Sequence, residues 1–191
     1  IMYKPIGITM GDPAGIGPEL VSKLLLTDKK NILIYANFEC LKKFAPTTNL
    51  NDPRLVNVIG NFDITNLVSG KPSSVGGQIS LTILKRAVND CSNRRLSAII
   101  TGPISKFSWH LAGQNWPGHT ELLAYLANPI NPPKVRMLLY GESLMVVLNS
   151  VHISLKDAIL SLNESNLIET VEITDCWYKK NFGKKPQIIL A

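Results

Sequence analysis

The sequence predicts an α/β fold built on a mainly parallel sheet flanked by helices. Strand-length apolar runs recur at 6–10, 32–36, 56–59, 96–100, 135–140, 144–148 and 188–190. Amphipathic segments of helical period separate most of them. Alternation of the two periods is what strands joined by covering helices require.

The elements follow in order. Run 6–10 leads into Gly11-Asp12-Pro13-Ala14-Gly15-Ile16-Gly17-Pro18-Glu19, where Pro18 suits the first turn of a helix. Segment 76–91 places Ile79, Ile83, Leu84, Ala87 and Val88 on one helical face. Run 96–100 is apolar without alternation, so it reads as a buried parallel strand. Gly141-Glu142-Ser143, between two apolar runs, reads as a hairpin turn inserted among the parallel strands. Segment 163–182 brings Leu167, Val171 and Tyr178 to one face and closes with Lys179 and Lys180 before Gly183, a helix-end pattern. The Pro- and Asn-rich stretches 45–53 and 128–133 read as loops, and an internal boundary is expected near 128–134. The last run, 188–190, reads as strand-like.

Composition narrows the function classes. A chain of 191 residues with 45% apolar content can build one ordinary domain or form a large piece of a longer protein. Twenty Lys and Arg against fourteen Asp and Glu give a net charge of +6, but the basic residues are scattered, with short pairs at Lys29-Lys30, Lys42-Lys43 and Lys184-Lys185. That pattern favours anionic small molecules or solubility over nucleic acid. Cys40, Cys91 and Cys176 are far apart and odd in number, which argues against both a disulfide framework and a thiolate metal site. No apolar stretch approaches the roughly 20 residues that span a bilayer, so a cytoplasmic protein without membrane contact is expected.

Candidate chemistry lies in three loops. Glycines in 11–19 let the backbone approach a ligand, and the following helix start favours an anion. The spacing is neither a P-loop nor a dinucleotide fingerprint, and the residues alone favour a plain strand-to-helix turn. Thr101-Gly102-Pro103-Ile104-Ser105-Lys106 puts a cation in the first turn after a strand, where the helix dipole disfavours it unless it faces an anion. A lysine whose stem packs on the sheet with its ammonium in water explains Lys106 equally well. Gly118-His119-Thr120-Glu121 brings an imidazole, a hydroxyl and free amides to the start of a helix over 121–126, or equally an N-cap threonine beside a loop histidine. His152, after run 144–148, precedes the capping-box-like Ser154-Leu155-Lys156-Asp157. A single histidine favours a hydrogen-bonded structural role over a metal, which needs three or more protein ligands. His110, Trp109, Trp116 and Trp177 read as surface or packing residues.

Taken together in sequence order, Gly11 to Glu19, Thr101 to Lys106, Gly118 to Glu121 and Val151-His152-Ile153-Ser154-Leu155 resemble the 4-hydroxythreonine-4-phosphate dehydrogenase family, from Ile6 to the last residue. The resemblance implies an isocitrate/isopropylmalate dehydrogenase-like α/β fold, with this chain a truncated part of a longer two-domain enzyme, inactive alone. It implies NAD-dependent oxidation of a small phosphorylated substrate, 4-hydroxythreonine 4-phosphate, then decarboxylation to 3-amino-2-oxopropyl phosphate in vitamin B6 synthesis. It further implies a divalent metal (zinc, magnesium or cobalt) held partly by His152, substrate contacts from His119 and Thr120, weaker candidacy for Lys106 and Asp12 as catalytic residues, and a homodimer. Two enzyme alternatives stand beside it: a family dehydrogenase for another phosphorylated or cyclic hydroxy acid and, more distantly, a phosphate acyltransferase. A non-enzymatic anion-binding domain is the third.

Overall fold

A computed structural model describes residues 4–191 of the chain. It divides into two compact units, one reaching Ile130 and the other Asn131–Ala191.

The first unit is an open parallel sheet. Its strands β1 (Ile6–Thr9), β2 (Ile32–Ala36), β3 (Leu55–Asn57) and β4 (Ala98–Ile100) lie in the order β3-β2-β1-β4. Every pairing is parallel, with Ile6 opposite Ile32 on one side and Ala98 on the other. The chain steps outward from β1 to β3 and then returns to the far side of β1. A reversal of this kind makes the gap beyond β1 and β4 a topological switch point.

Helices α1 (Gly17–Leu25) and α2 (Phe38–Phe44) connect the outward steps, and α3 (Ser74–Ser92) makes the return. Pro18 sits in the first turn of α1 as its fixed backbone angle favours. Asn37 and Ser73 cap α2 and α3 by accepting the amides of Cys40 and Gly76. Helix α3 buries Ile79, Ile83, Leu84, Ala87 and Val88, the face expected from their spacing. Gly76 and Gly77 lower its intrinsic helix propensity by about 1 kcal/mol each. Each fully buried Leu, Ile or Val contributes about 1.5–3 kcal/mol, so packing rather than propensity holds this helix. Met10, Ile34, Tyr35 and Leu41 share one core with Ile79 and Ile83. Trp109, on α4 (Lys106–Leu111), joins Leu81, Leu84, Val88 and Leu122 in a second core, with Leu122 on α5 (His119–Ala127).

The second unit pairs β5 (Met137–Tyr140) with β6 (Met145–Leu148) in an antiparallel hairpin, followed by α6 (Leu155–Ser161) and α7 (Glu164–Phe182). Arg136 joins hairpin to helix, donating to Thr170 at 2.8 Å and Glu169 at 2.6 Å. Thr170 is the buried residue of α7 and donates to Asn149 at 2.7 Å. Gly183, with a φ of 66°, closes α7 beside Lys179 and Lys180.

Three expectations need correction. Of the 96–100 run, Leu96 is buried and 98–100 pair in parallel as expected, but β4 is an edge strand with a hydrogen-bonded neighbour on one side only, and its Ile100 is 53% exposed. The hairpin at 141–143 forms a separate two-stranded sheet instead of entering the parallel one. Residues 188–190 form no strand, since they pair with neither sheet and Ile189 is 89% exposed. Their apolar content misled because a short apolar run states no partner.

One helix contact sets how closely α3 and α4 pack. A β-carbon on Gly77 would lie 2.1 Å from the carbonyl oxygen of Ser108, so α3 and α4 approach at a point only glycine permits. Glycine-to-alanine changes inside helices normally stabilise by about 1 kcal/mol, whereas overpacking a close contact costs about 1–3 kcal/mol. Gly77→Ala is therefore expected to lower the urea midpoint followed by circular dichroism; a raised midpoint would refute the close-approach role.

Candidate functional site

The loops leaving β1 and β4 meet at the switch point. Gly11 has a φ of 82°, and a β-carbon there would fall 2.1 Å from the carbonyl oxygen of Pro103. One on Gly102 would fall 2.2 Å from the carbonyl oxygen of Thr9. Two hydrogen bonds use this closeness: the Asp12 amide donates to the Pro103 carbonyl at 2.8 Å, and the Gly102 amide to the Thr9 hydroxyl at 3.0 Å.

Asp12 is 5% exposed and both its carboxylate oxygens are occupied. Oδ1 accepts the Ala14 amide at 2.9 Å and Oδ2 accepts the Ser108 hydroxyl at 3.1 Å. Ser108 Oγ in turn accepts the Ser73 amide at 3.2 Å. A β-carbon on Gly76 would lie 3.2 Å from Oδ1, so the carboxylate rests against the first turn of α3, whose dipole favours an anion. This geometry makes Asp12 the fastener of three elements.

Lys106 is the first residue of α4, after the N-cap Ser105, and is exposed. Among the described residues it makes no ion pair. His119 and Thr120 lie inside the first turn of α5, which starts two residues earlier than the expected 121 and has Gly118 as its N-cap. A β-carbon on Gly118 would stand 4.0 Å from Lys106 Cε and 3.7 Å from Glu121 Oε2, so these two side chains converge on this glycine. Burial holds the His119 imidazole below the usual histidine range, and the nearby Lys106 charge adds to that shift.

The unsatisfied groups point to the same place. Among the described residues, the buried side-chain polar atoms without a partner are Thr48 Oγ1, His119 Nε2 and Glu121 Oε2. Native folds leave few such atoms unpaired, and an unpaired one calls for an explanation. Two of the three fall within one helical turn, beside an unpaired lysine.

His110 is exposed, with its Nδ1 2.6 Å from Asn115 Oδ1 and its ring stacked on Phe107. Trp109 is fully buried, as its packing role requires. In the second unit His152 lies between β6 and α6, exposed, in a left-handed backbone conformation with φ of 58°. Ser154 then caps α6 by accepting the Asp157 amide at 3.1 Å, the expected helix start. No cluster of three or more His, Cys, Asp or Glu suited to a metal occurs among the described residues, and His152 is a lone donor there. Among the described residues no helix is long and apolar enough to cross a membrane, and all three cysteines are free.

Ser108 and Glu121 were given no role by the sequence. Ser108 meets Asp12 across 96 residues, a separation with no local signature. Glu121 stands in the quoted motif, but only the structure shows its oxygen vacant.

Residues 20–191 match the family model described as pyridoxal phosphate biosynthetic protein PdxA. A D-threonate 4-phosphate dehydrogenase from Salmonella typhimurium is 33% identical over 98% of this chain and 63% of its own length. A 4-hydroxythreonine-4-phosphate dehydrogenase from a Hydrogenobaculum species is 32% identical over 97% of this chain and 62% of its own. The solved structure of 4-hydroxythreonine-4-phosphate dehydrogenase from Klebsiella pneumoniae superposes with a TM-score of 0.79 at 29% identity, covering 94% of this chain and 59% of that one. The chain thus spans about three fifths of the length of the relatives it matches.

The lowered His119 value has a signed consequence for stability. The folded state resists protonating this ring, so the unfolded chain binds the extra proton between the lowered folded value and about 6.5. Stability should be complete above that window and fall as pH drops through it. His119→Gln should flatten this part of a plot of urea midpoint against pH. An unchanged slope would show that His119 is not held neutral by its surroundings.

Proposed function

Because the chain belongs to the PdxA family of pyridoxal phosphate biosynthetic proteins, we propose that the protein at its natural length is an NAD-dependent 4-hydroxythreonine-4-phosphate dehydrogenase of the cytoplasm, acting as a homodimer. The observation that carries this reading is the unpaired His119 Nε2 beside unpaired Lys106 and the vacant Glu121 oxygen. A phosphorylated hydroxy acid brings the anion and the hydroxyl that this cluster lacks.

In this reading the neutral His119 imidazole and the Thr120 hydroxyl bind and orient the polar end of the substrate. Lys106 faces an anionic group, which removes its conflict with the dipole at the start of α4. Asp12 keeps the β1 loop, α3 and α4 in register around them without touching the substrate. NAD, when bound, supplies the hydride acceptor for oxidation of the alcohol, and the β-keto acid so formed loses carbon dioxide to give 3-amino-2-oxopropyl phosphate. His152, exposed and in a left-handed backbone conformation, is proposed as one donor to a divalent metal (zinc, magnesium or cobalt). The described residues give it no companion ligands, so they do not by themselves make a complete site.

A second reading rests on the relatives themselves: the Salmonella typhimurium protein carries the name of D-threonate 4-phosphate. That compound also offers a phosphate and hydroxyls, so His119, Thr120 and Lys106 serve either substrate. Turnover of the two compounds by the protein at its natural length separates them.

In that protein, His119→Ala should raise KM about tenfold or more, the factor carried by a hydrogen bond involving a charged partner, with metal content unchanged. Normal kinetics would reject the contact. His152→Ala should lower metal content, measured by emission spectroscopy, and turnover together. Full metal occupancy would remove His152 from the ligand set.

A further inference from the structure

We infer that Trp109, held in place by Ser80, is the positioning residue that sets the plane of the His119 ring. This rests on the reading that His119 contacts the ligand. Among the described residues no hydrogen bond fixes the His119 imidazole, so packing alone determines where Nε2 points. The packing comes from Trp109, whose indole meets the imidazole edge to face, with centroids 5.4 Å apart and planes at 75°.

The indole is itself locked. Trp109 is 0% exposed, and its Nε1–H donates to Ser80 Oγ at 2.9 Å. Ser80, 2% exposed, spends its own hydrogen on the Gly77 carbonyl at 3.0 Å, which leaves a lone pair for the indole. Gly77 is also where α4 presses onto α3. A rigid path therefore runs from the glycine contact through Ser80 and Trp109 to the imidazole. A polar residue on the buried face of α3, Ser80 between Ile79 and Leu81, is otherwise hard to account for. The charged group that acts on the ring is Lys106 from α4.

The test uses the protein at its natural length, with histidine side chains labelled for NMR and the His119 signal assigned by its loss in His119→Gln. Ser80→Ala and Trp109→Phe should each move the His119 titration up toward the ordinary histidine value. Each should also raise KM for 4-hydroxythreonine 4-phosphate about fivefold, the factor of one net neutral hydrogen bond, with little change in kcat. Ser80→Thr, which keeps the hydroxyl, should restore both readouts. If Trp109→Phe does not fold, Ser80→Ala decides alone. A folded Ser80→Ala protein with an unmoved His119 resonance and titration overturns the proposal. A KM that responds to His119→Gln but to neither packing variant also overturns it and leaves the contact intact. A KM indifferent to His119→Gln defeats the contact reading first.

Discussion

The close approach of two loops at the sheet's switch point sets everything built on it. At Gly11 and Gly102 backbone lies against backbone, and a single added carbon at either would overlap a carbonyl oxygen. The Asp12 and Gly102 amides find partners across this contact, so the cost of burying them is met by the same geometry that creates it. The path of 101–105 is then fixed, and Lys106 enters α4 at a defined point. Asp12 extends the constraint to α3 and α4 through Ser108. A parallel sheet supplies the crevice, while this stitching decides which residues stand at its mouth.

Much of the first unit was legible because its signals are local. Pro18 marks the start of α1, and the 3.6-residue spacing from Ile79 to Val88 marks the buried face of α3. The α7 ending at Lys179, Lys180 and Gly183 was readable for the same reason. Errors arose where a segment's environment depends on distant partners. Run 96–100 has the composition of a central strand but occupies an edge, and 188–190 has the composition of a strand without a partner. The hairpin itself was visible in Gly141-Glu142-Ser143, while its separation from the parallel sheet was not.

The candidate site residues divide along the same line. His119, Thr120 and Lys106 stand in short motifs at element starts, so their positions could be read directly. Ser108 and Ser80 act across the fold, one on Asp12 and one on Trp109, and a serine has no motif. Asp12 was legible as a residue of interest and not as a fastener, because its two partners lie at Ala14 and Ser108 and only the first is near in sequence.

Within the first unit the fold treats two groups of buried polar atoms differently. Asp90 is buried, yet it accepts from Tyr35 at 2.9 Å, from Arg86 at 3.2 Å and from Arg95 at 3.1 Å. There the fold compensates a charge fully, as buried ionic groups require. Around Gly118 the same fold leaves His119 Nε2 and Glu121 Oε2 unpaired and sets Lys106 where a helix start disfavours it. An unpaired buried polar group costs about 1–3 kcal/mol. A unit that satisfies Asp90 three times over has the means to satisfy these, and in the proposed function a polar ligand with both an anionic group and a hydroxyl would relieve them together. Under the proposed function, a ligand that pairs these groups would recover their desolvation cost without any change in the surrounding frame.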